Sequence, residues 1–184
     1  MRSRHAKRIA WVSAAVAVVV GILLSVRRDP NRPKYTWDFS QSHSETLVPW
    51  PVNGNPSESA FTKEVNGRVV VKLANGRVFD RHVDSIVFWR DRGQLIEVYF
   101  MLEAQTAEDA YSTALSLAKA WDLNSAPLEG WYKRASSEPP FGGGESKRTA
   151  TRRNDRPQTI SLEIMYSYRQ DKPYRIVFAP GWRD

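Results

Sequence analysis

Asp80, His82 and Asp84 alternate along an extended stretch, which places two carboxylates and an imidazole on one side of a strand. Those are ligand types that a zinc, manganese or iron site uses. Three donors on one strand, with no partner motif elsewhere, leave a coordination sphere open, and a solvated strand end or turn accounts for them. No metal and no cofactor is therefore expected. The Phe141 to Lys147 stretch, with Gly142, Gly143 and Gly144 at its centre, has the glycines of a phosphate loop. It lacks the Gly-x4-Gly-Lys-Ser/Thr spacing that aims backbone N–H groups at a nucleotide. Serine nucleophiles need a base and an orienting acid, and neither a Gly-x-Ser-x-Gly nor a Ser-x-x-Lys framework occurs. Cysteine is absent and histidine is limited to His5, His43 and His82. Glu97, Glu103 and Glu163 fall at alternating strand positions, the ordinary chemistry of a solvated sheet face. No catalytic residue is assigned.

What remains is binding chemistry. Lys147, Arg148, Arg152, Arg153 and Arg156 form a basic run that suits anionic headgroups or an acidic protein surface, at about 1 kcal/mol per cation beside an anionic membrane. A mobile, solvated loop is the plainer use of such a run. Seven tryptophans exceed what a small core requires, and aromatic side chains carry much of the energy of protein interfaces. Arg152, Arg153, Arg156, Met165 and Trp182 are the candidate partner contacts. The net charge of +7 suggests a nucleic-acid binder only until it is located. Residues 1–28 hold six of the 27 Lys and Arg and none of the 20 Asp and Glu, so the remainder carries +1. The high pI belongs to the N-terminus, and no nucleic acid is expected.

The element that must carry these groups is the apolar run Ile9 to Val26, free of ionisable side chains and flanked by Lys7, Arg8, Arg27 and Arg28. Eighteen residues of helix reach about 27 Å, close to a hydrocarbon core of roughly 30 Å. Residues 1–28 therefore read as a membrane anchor in contact with lipid. Within it Trp11 lies near one end of the span, and Gly21 and Ser25 offer a small-xxx-small contact to another helix. A cleaved secretory signal is the rival, but the run ends in Leu-Leu-Ser-Val-Arg-Arg with no small-x-small cleavage site. Four cations precede the span and four follow it closely, so the positive-inside rule gives no direction. The short, basic, acid-free tail is that of a signal-anchor, which puts the domain outside the cytoplasm, with a bacterial inner membrane favoured.

Residues 29–60, with five prolines, read as an extended Pro/Ser spacer. Trp37 and Trp50 inside it argue that part of the stretch packs along the domain or sits at the membrane interface. Residues 61–184 read as an α+β domain. Asn66-Gly67 and Asn75-Gly76 each signal a tight hairpin, which divides Phe61 to Val83 into a three-stranded meander. Asp91-Arg92-Gly93 turns between Ser85–Arg90 and Gln94–Glu103. Ile96, Val98, Phe100 and Leu102 share one face of the latter strand. Thr106 caps a helix to Asp122, whose stripe is Ala107, Ala110, Tyr111, Ala114, Leu115, Ala118 and Trp121. Residues 124–158, with Pro127, Pro139, Pro140 and the three glycines, read as a long flexible loop. Strands at Thr159–Tyr168 and Tyr174–Ala179 close the chain. The expected architecture is an antiparallel sheet of five to seven strands with one main helix on one face. The expected function is that of a single-pass, non-catalytic accessory or scaffolding subunit binding other membrane or envelope proteins. An envelope inhibitor of a toxin and an anchored hydrolase are the alternatives, and nothing in the sequence sets the oligomeric state.

Overall fold

The computed structural model describes residues 32–48, 59–137, 148–155, 158–166 and 171–182. Contacts divide the chain into Met1–Arg32 and Pro33–Asp184, and the second unit is the one described below. The span read at Ile9 to Val26, including Trp11, Gly21 and Ser25, lies outside the described residues. Among the described residues no helix is long and apolar enough to cross a membrane.

Seven strands make one sheet: β1 Tyr35–Asp38, β2 Ala60–Lys72, β3 Val78–Asp91, β4 Gln94–Ala104, β5 Arg148–Asp155, β6 Gln158–Tyr166 and β7 Tyr174–Gly181. Their spatial order is β1-β2-β3-β4-β7-β6-β5. All pairs are antiparallel except β1 with β2, so the sheet is mixed. Helices α1 (Ala107–Ala120) and α2 (Ala126–Ala135) lie on one face. Trp121, just after α1, rings against Phe178 of β7, and Trp131 of α2 meets Tyr174 of the same strand edge-on. The α+β class holds, with a second helix and a parallel edge strand added.

Two turns follow the sequence. Leu73 and Arg77 close a loop whose Gly76 takes φ +78°, and Arg92-Gly93, both at positive φ, form the two-residue connection between Asp91 and Gln94. Asn66-Gly67 does not turn. It lies inside β2, where Val65 and Asn66 stand opposite the single residue Asp84 and Asn66 adopts φ 45°. The motif that reads as a hairpin is instead a β-bulge, because asparagine tolerates left-handed φ in either setting.

That bulge bends the sheet. Trp37 pairs beside Val71, whereas Phe88 pairs with Phe61, ten residues away along β2. An even strand would separate those positions by about 33 Å, yet the Trp37 and Phe88 rings are 5.6 Å apart. The β2–β3 hairpin therefore curls over the core. A second irregularity, between Trp89 and Arg90, leaves Ile96 as the extra residue of β4. It moves Leu95 into the core in place of Ile96, while Val98, Phe100 and Leu102 keep their expected inward positions.

Thr106 caps α1 as expected, its hydroxyl accepting from the Asp109 N–H. The inward stripe is Ala110, Ala114, Leu117 and Ala118, so Leu117 takes the place expected of Leu115. Most of the described part of residues 124–158 is regular structure, in α2 and β5. Pro127 opens α2 in its first turn, and Leu128, Trp131 and Ala135 are buried. β5 is an edge strand with no large apolar residue. In the stretch read as spacer, Trp37 and Phe39 pack into the core and Glu45–Leu47 forms a single 3-10 turn. The centre of the core is aromatic: Phe79 stacks at 4.7 Å on both Phe100 and Phe178.

Candidate functional site

Asp80, His82 and Asp84 sit within β3, not at a strand end or turn, and the structure does not bring them to one point. Asp80 receives two hydrogen bonds from Arg68, at 2.7 and 2.6 Å, and these hold its carboxyl below the usual carboxylate range. His82 is exposed and pairs across the sheet with Arg68. Asp84 is bound elsewhere: one oxygen accepts from the Glu103 N–H at 2.9 Å and the other from Lys172 Nζ at 2.6 Å. Among the described residues no three His, Cys, Asp or Glu side chains converge as a metal centre would require.

Asp84 belongs to a half-buried charge network at the bulge. Glu103, whose side chain is only 4% exposed, accepts from Arg175 at 3.1 Å and lies 4.0 Å from Lys172. Two acids on β3 and β4 thus meet two bases from the β6–β7 side, and each base is partly open to water. The arrangement fixes three strands relative to one another. This network was not visible in the sequence, because Asp84 and Lys172 are 88 residues apart and no spacing rule links them.

The partner candidates separate. Trp182 is packed inward, between His43 at 5.4 Å and Phe39 at 5.3 Å, with 9% of its surface exposed. Its ring is used in the core and is not offered to a partner. Arg153 pairs with Asp122 at 3.1 Å, just beyond α1. Arg156 lies outside the described residues. Arg152 and Met165 share a face: the one turned away from the helices.

That face is assembled by register. Met165 pairs with Arg175, which pairs with Glu103. The next row runs Ser85, Met101, Val177, Glu163 and Ala150, and a further one runs Trp89, Glu97, Gly181 and Thr159. The Trp89 and Tyr99 rings are 6.2 Å apart, and Tyr99 donates to Glu97 at 3.1 Å. Small residues on β5, β6 and β7 leave a trough of about 290 Å³, lined by Glu97, Ala150, Arg152, Thr159, Ser161, Glu163 and Gly181. Gly181 lies against β4, where a Cβ would stand 3.4 Å from the Ile96 carbonyl oxygen. Val177 and Ala179 are buried at 2% and 3% but lie outside the main core cluster. Among the described residues no helix or strand packs on this face, whereas both helices cover the other. The signal available in the sequence was the outward alternation of Ser161, Glu163 and Met165. Which strands would flank them was not readable.

The trough offers carboxylates, a guanidinium and two hydroxyls around a floor of small side chains. Hydrogen-bonding groups and charge stand at its rim, with the aromatic and thioether area of Trp89, Tyr99, Met101 and Met165 beside them. No protein-family model, no curated protein and no solved structure matches this chain.

Proposed function

We propose that this chain is a membrane-anchored, non-catalytic accessory subunit. It binds other proteins of a membrane complex through its N-terminal apolar run and through the open face of the α+β domain. The observation that supports this most is the two-sidedness of the sheet: two helices cover one face, and the other presents Trp89, Tyr99, Met101 and Met165 around the trough. Half-buried aromatics and methionine, on a face that no helix or strand among the described residues covers, are the side chains that interfaces favour over the rest of a surface. The Ile9 to Val26 run supplies the membrane half of the reading, since its length and its basic flanks suit a single crossing.

Co-purification of the full-length chain in mild detergent tests the reading. Constitutive membrane-protein partners are expected, and a double Tyr99→Ala, Met165→Ala variant should release them without shifting the melting temperature by more than a few degrees. Tight binding of a single soluble toxin by the isolated chain would replace the subunit with an inhibitor. Turnover of a substrate by the purified chain would replace it with an enzyme.

A further inference from the structure

We infer that Asn75, at the tip of the β2–β3 hairpin, is a site of self-modification: its side-chain amide is lost as ammonia, leaving aspartate or isoaspartate. Asn66, which opens the same tetrapeptide, is protected from that reaction by the fold. Asn-Gly-Arg-Val stands at 66–69 and again at 75–78. The intrinsic chemistry of the two copies is therefore alike, and a difference in their rates comes from structure.

The reaction needs one backbone nitrogen and water. The glycine amide gives its proton to solvent and its nitrogen attacks the asparagine Cγ, which a residue without Cβ permits most readily. A C–N bond forms and closes a five-membered succinimide. The bond from Cγ to Nδ2 breaks, and Nδ2 takes up a proton and leaves as ammonia. Water then opens the ring. Cleavage between the ring nitrogen and Cγ gives aspartate, and cleavage between that nitrogen and the main-chain carbonyl carbon gives isoaspartate.

At the hairpin tip each requirement is met. Asn75 and Gly76 are both exposed, and a Cβ on Gly76 would meet nothing within 4 Å. The Gly76 N–H donates to the Leu73 carbonyl at 2.9 Å, inside the loop that Leu73 and Arg77 close. Freeing that nitrogen loosens the loop and leaves the strand ladder paired. The Arg77 N–H donates to Asn75 Oδ1 at 3.0 Å. That oxygen becomes the oxyanion when nitrogen adds to Cγ, so a backbone donor already stands where the charge develops.

At the bulge the same dipeptide is clamped. Gly67 is buried and pairs with Val83, and a Cβ on it would lie 2.5 Å from Lys34 Cδ. Lys34 is itself tied on both sides of the glycine: its backbone N–H donates to the Arg68 carbonyl at 2.8 Å and its Nζ to the Val65 carbonyl at 2.5 Å. Swinging the Gly67 nitrogen round to Asn66 Cγ displaces Lys34 and opens the β2–β3 ladder. Such openings cost far more than the fraying of a hairpin tip. None of this depends on the open-face reading.

The test ages the full-length chain, in detergent micelles and mildly alkaline buffer made with heavy-oxygen water, and then digests it in ordinary water. Acids formed during ageing carry the label, and acids formed during digestion do not. Trypsin puts the two sites in separate peptides, Glu64–Arg68 and Leu73–Arg77, with Asn53-Gly54 in neither. In the folded chain Leu73–Arg77 should gain label about tenfold faster or more than Glu64–Arg68, and in concentrated urea the two rates should agree within about twofold. Gly76→Ala, whose Cβ crowds the attacking nitrogen, should slow labelling at Asn75 and leave Asn66 unchanged, with a circular-dichroism melt to show that the variant folds. Equal or faster labelling of Glu64–Arg68 in the folded chain would overturn the assignment. So would an unlabelled Leu73–Arg77 over the time in which urea-unfolded chain is converted, an unslowed Gly76→Ala chain, or a rate difference that persists in urea and so belongs to sequence.

Discussion

Asp84 serves three strands with one carboxylate. It lies opposite the bulge in β2, accepts from the backbone of β4 and pairs with Lys172 beside β7. Its side chain is 14% exposed and that of Glu103 is 4% exposed, so water screens the network poorly. Removing one member of a buried pair costs roughly 3–5 kcal/mol because the other charge is stranded. Lys172 is 30% exposed and can turn to water, so Asp84→Ala is expected to cost about 2 kcal/mol, much of it from the unpaired Glu103 N–H. Urea titration followed by tryptophan fluorescence would measure it, and an unchanged midpoint would refute the assignment. Asp80 yields a pH prediction. Hydrogen bonds and charge from Arg68 lower its folded-state pKa from 3.8, so its contribution is present above 3.8 and is lost as pH falls through the lower folded value. Asp80→Asn should therefore weaken the protein at neutral pH and flatten its acid unfolding as pH falls below 3.8. Both groups are near the surface, and the effect should be a fraction of a kcal/mol and shrink in salt.

At the level of elements, the bulge at Asn66 is what turns a long flat hairpin into a curled sheet. The same dipeptide that ends a strand at Asn75-Gly76 continues one at Asn66-Gly67. Short-range chemistry fixes that a residue takes positive φ; it does not fix whether the chain reverses there. Asn66→Val puts a β-branched side chain at φ 45° and should cost about 1–2 kcal/mol, whereas Asn66→Gly should be nearly neutral. Equal melting temperatures for the two variants would show that the bulge carries no strain. Elements with a strong period were legible: the Thr106 cap, the inward β6 residues Ile160, Leu162 and Ile164, and the Arg92-Gly93 turn all stand where pattern and turn chemistry put them. α2 was missed because Pro127 reads as a loop signal, yet proline is at home in a helix's first turn, where the missing N–H has no partner to lose. β5 was missed because an edge strand needs only backbone pairing to β6, and charge on such a strand discourages further pairing. β1 was hidden in Pro-rich sequence because its parallel partner lies more than thirty residues later. The small-residue trough depended on the pairing of β5 with β6, so it could not be read beforehand.

On the scale of the whole molecule, the proposal joins a domain with two chemically different faces to a single N-terminal crossing. Orientation then decides which proteins the open face can meet, and the four cations on each side of the apolar run leave it undecided by charge count. Under the proposed export of the domain, everything after Arg28 crosses the membrane. In cells producing the full-length chain, it should remain in the membrane pellet after alkaline carbonate washing. In spheroplasts, added protease should remove the domain without lysis, because the folded unit beginning at Pro33 would be on the outer side. Protection until lysis would reverse the orientation while keeping the anchor. An N-terminus found beyond Arg28, with the chain in the soluble fraction, would remove the anchor itself. The open face would then have to find its partners by affinity alone: tethering keeps a domain and its membrane partners at the high effective concentration that short linkers give, and release forfeits that advantage.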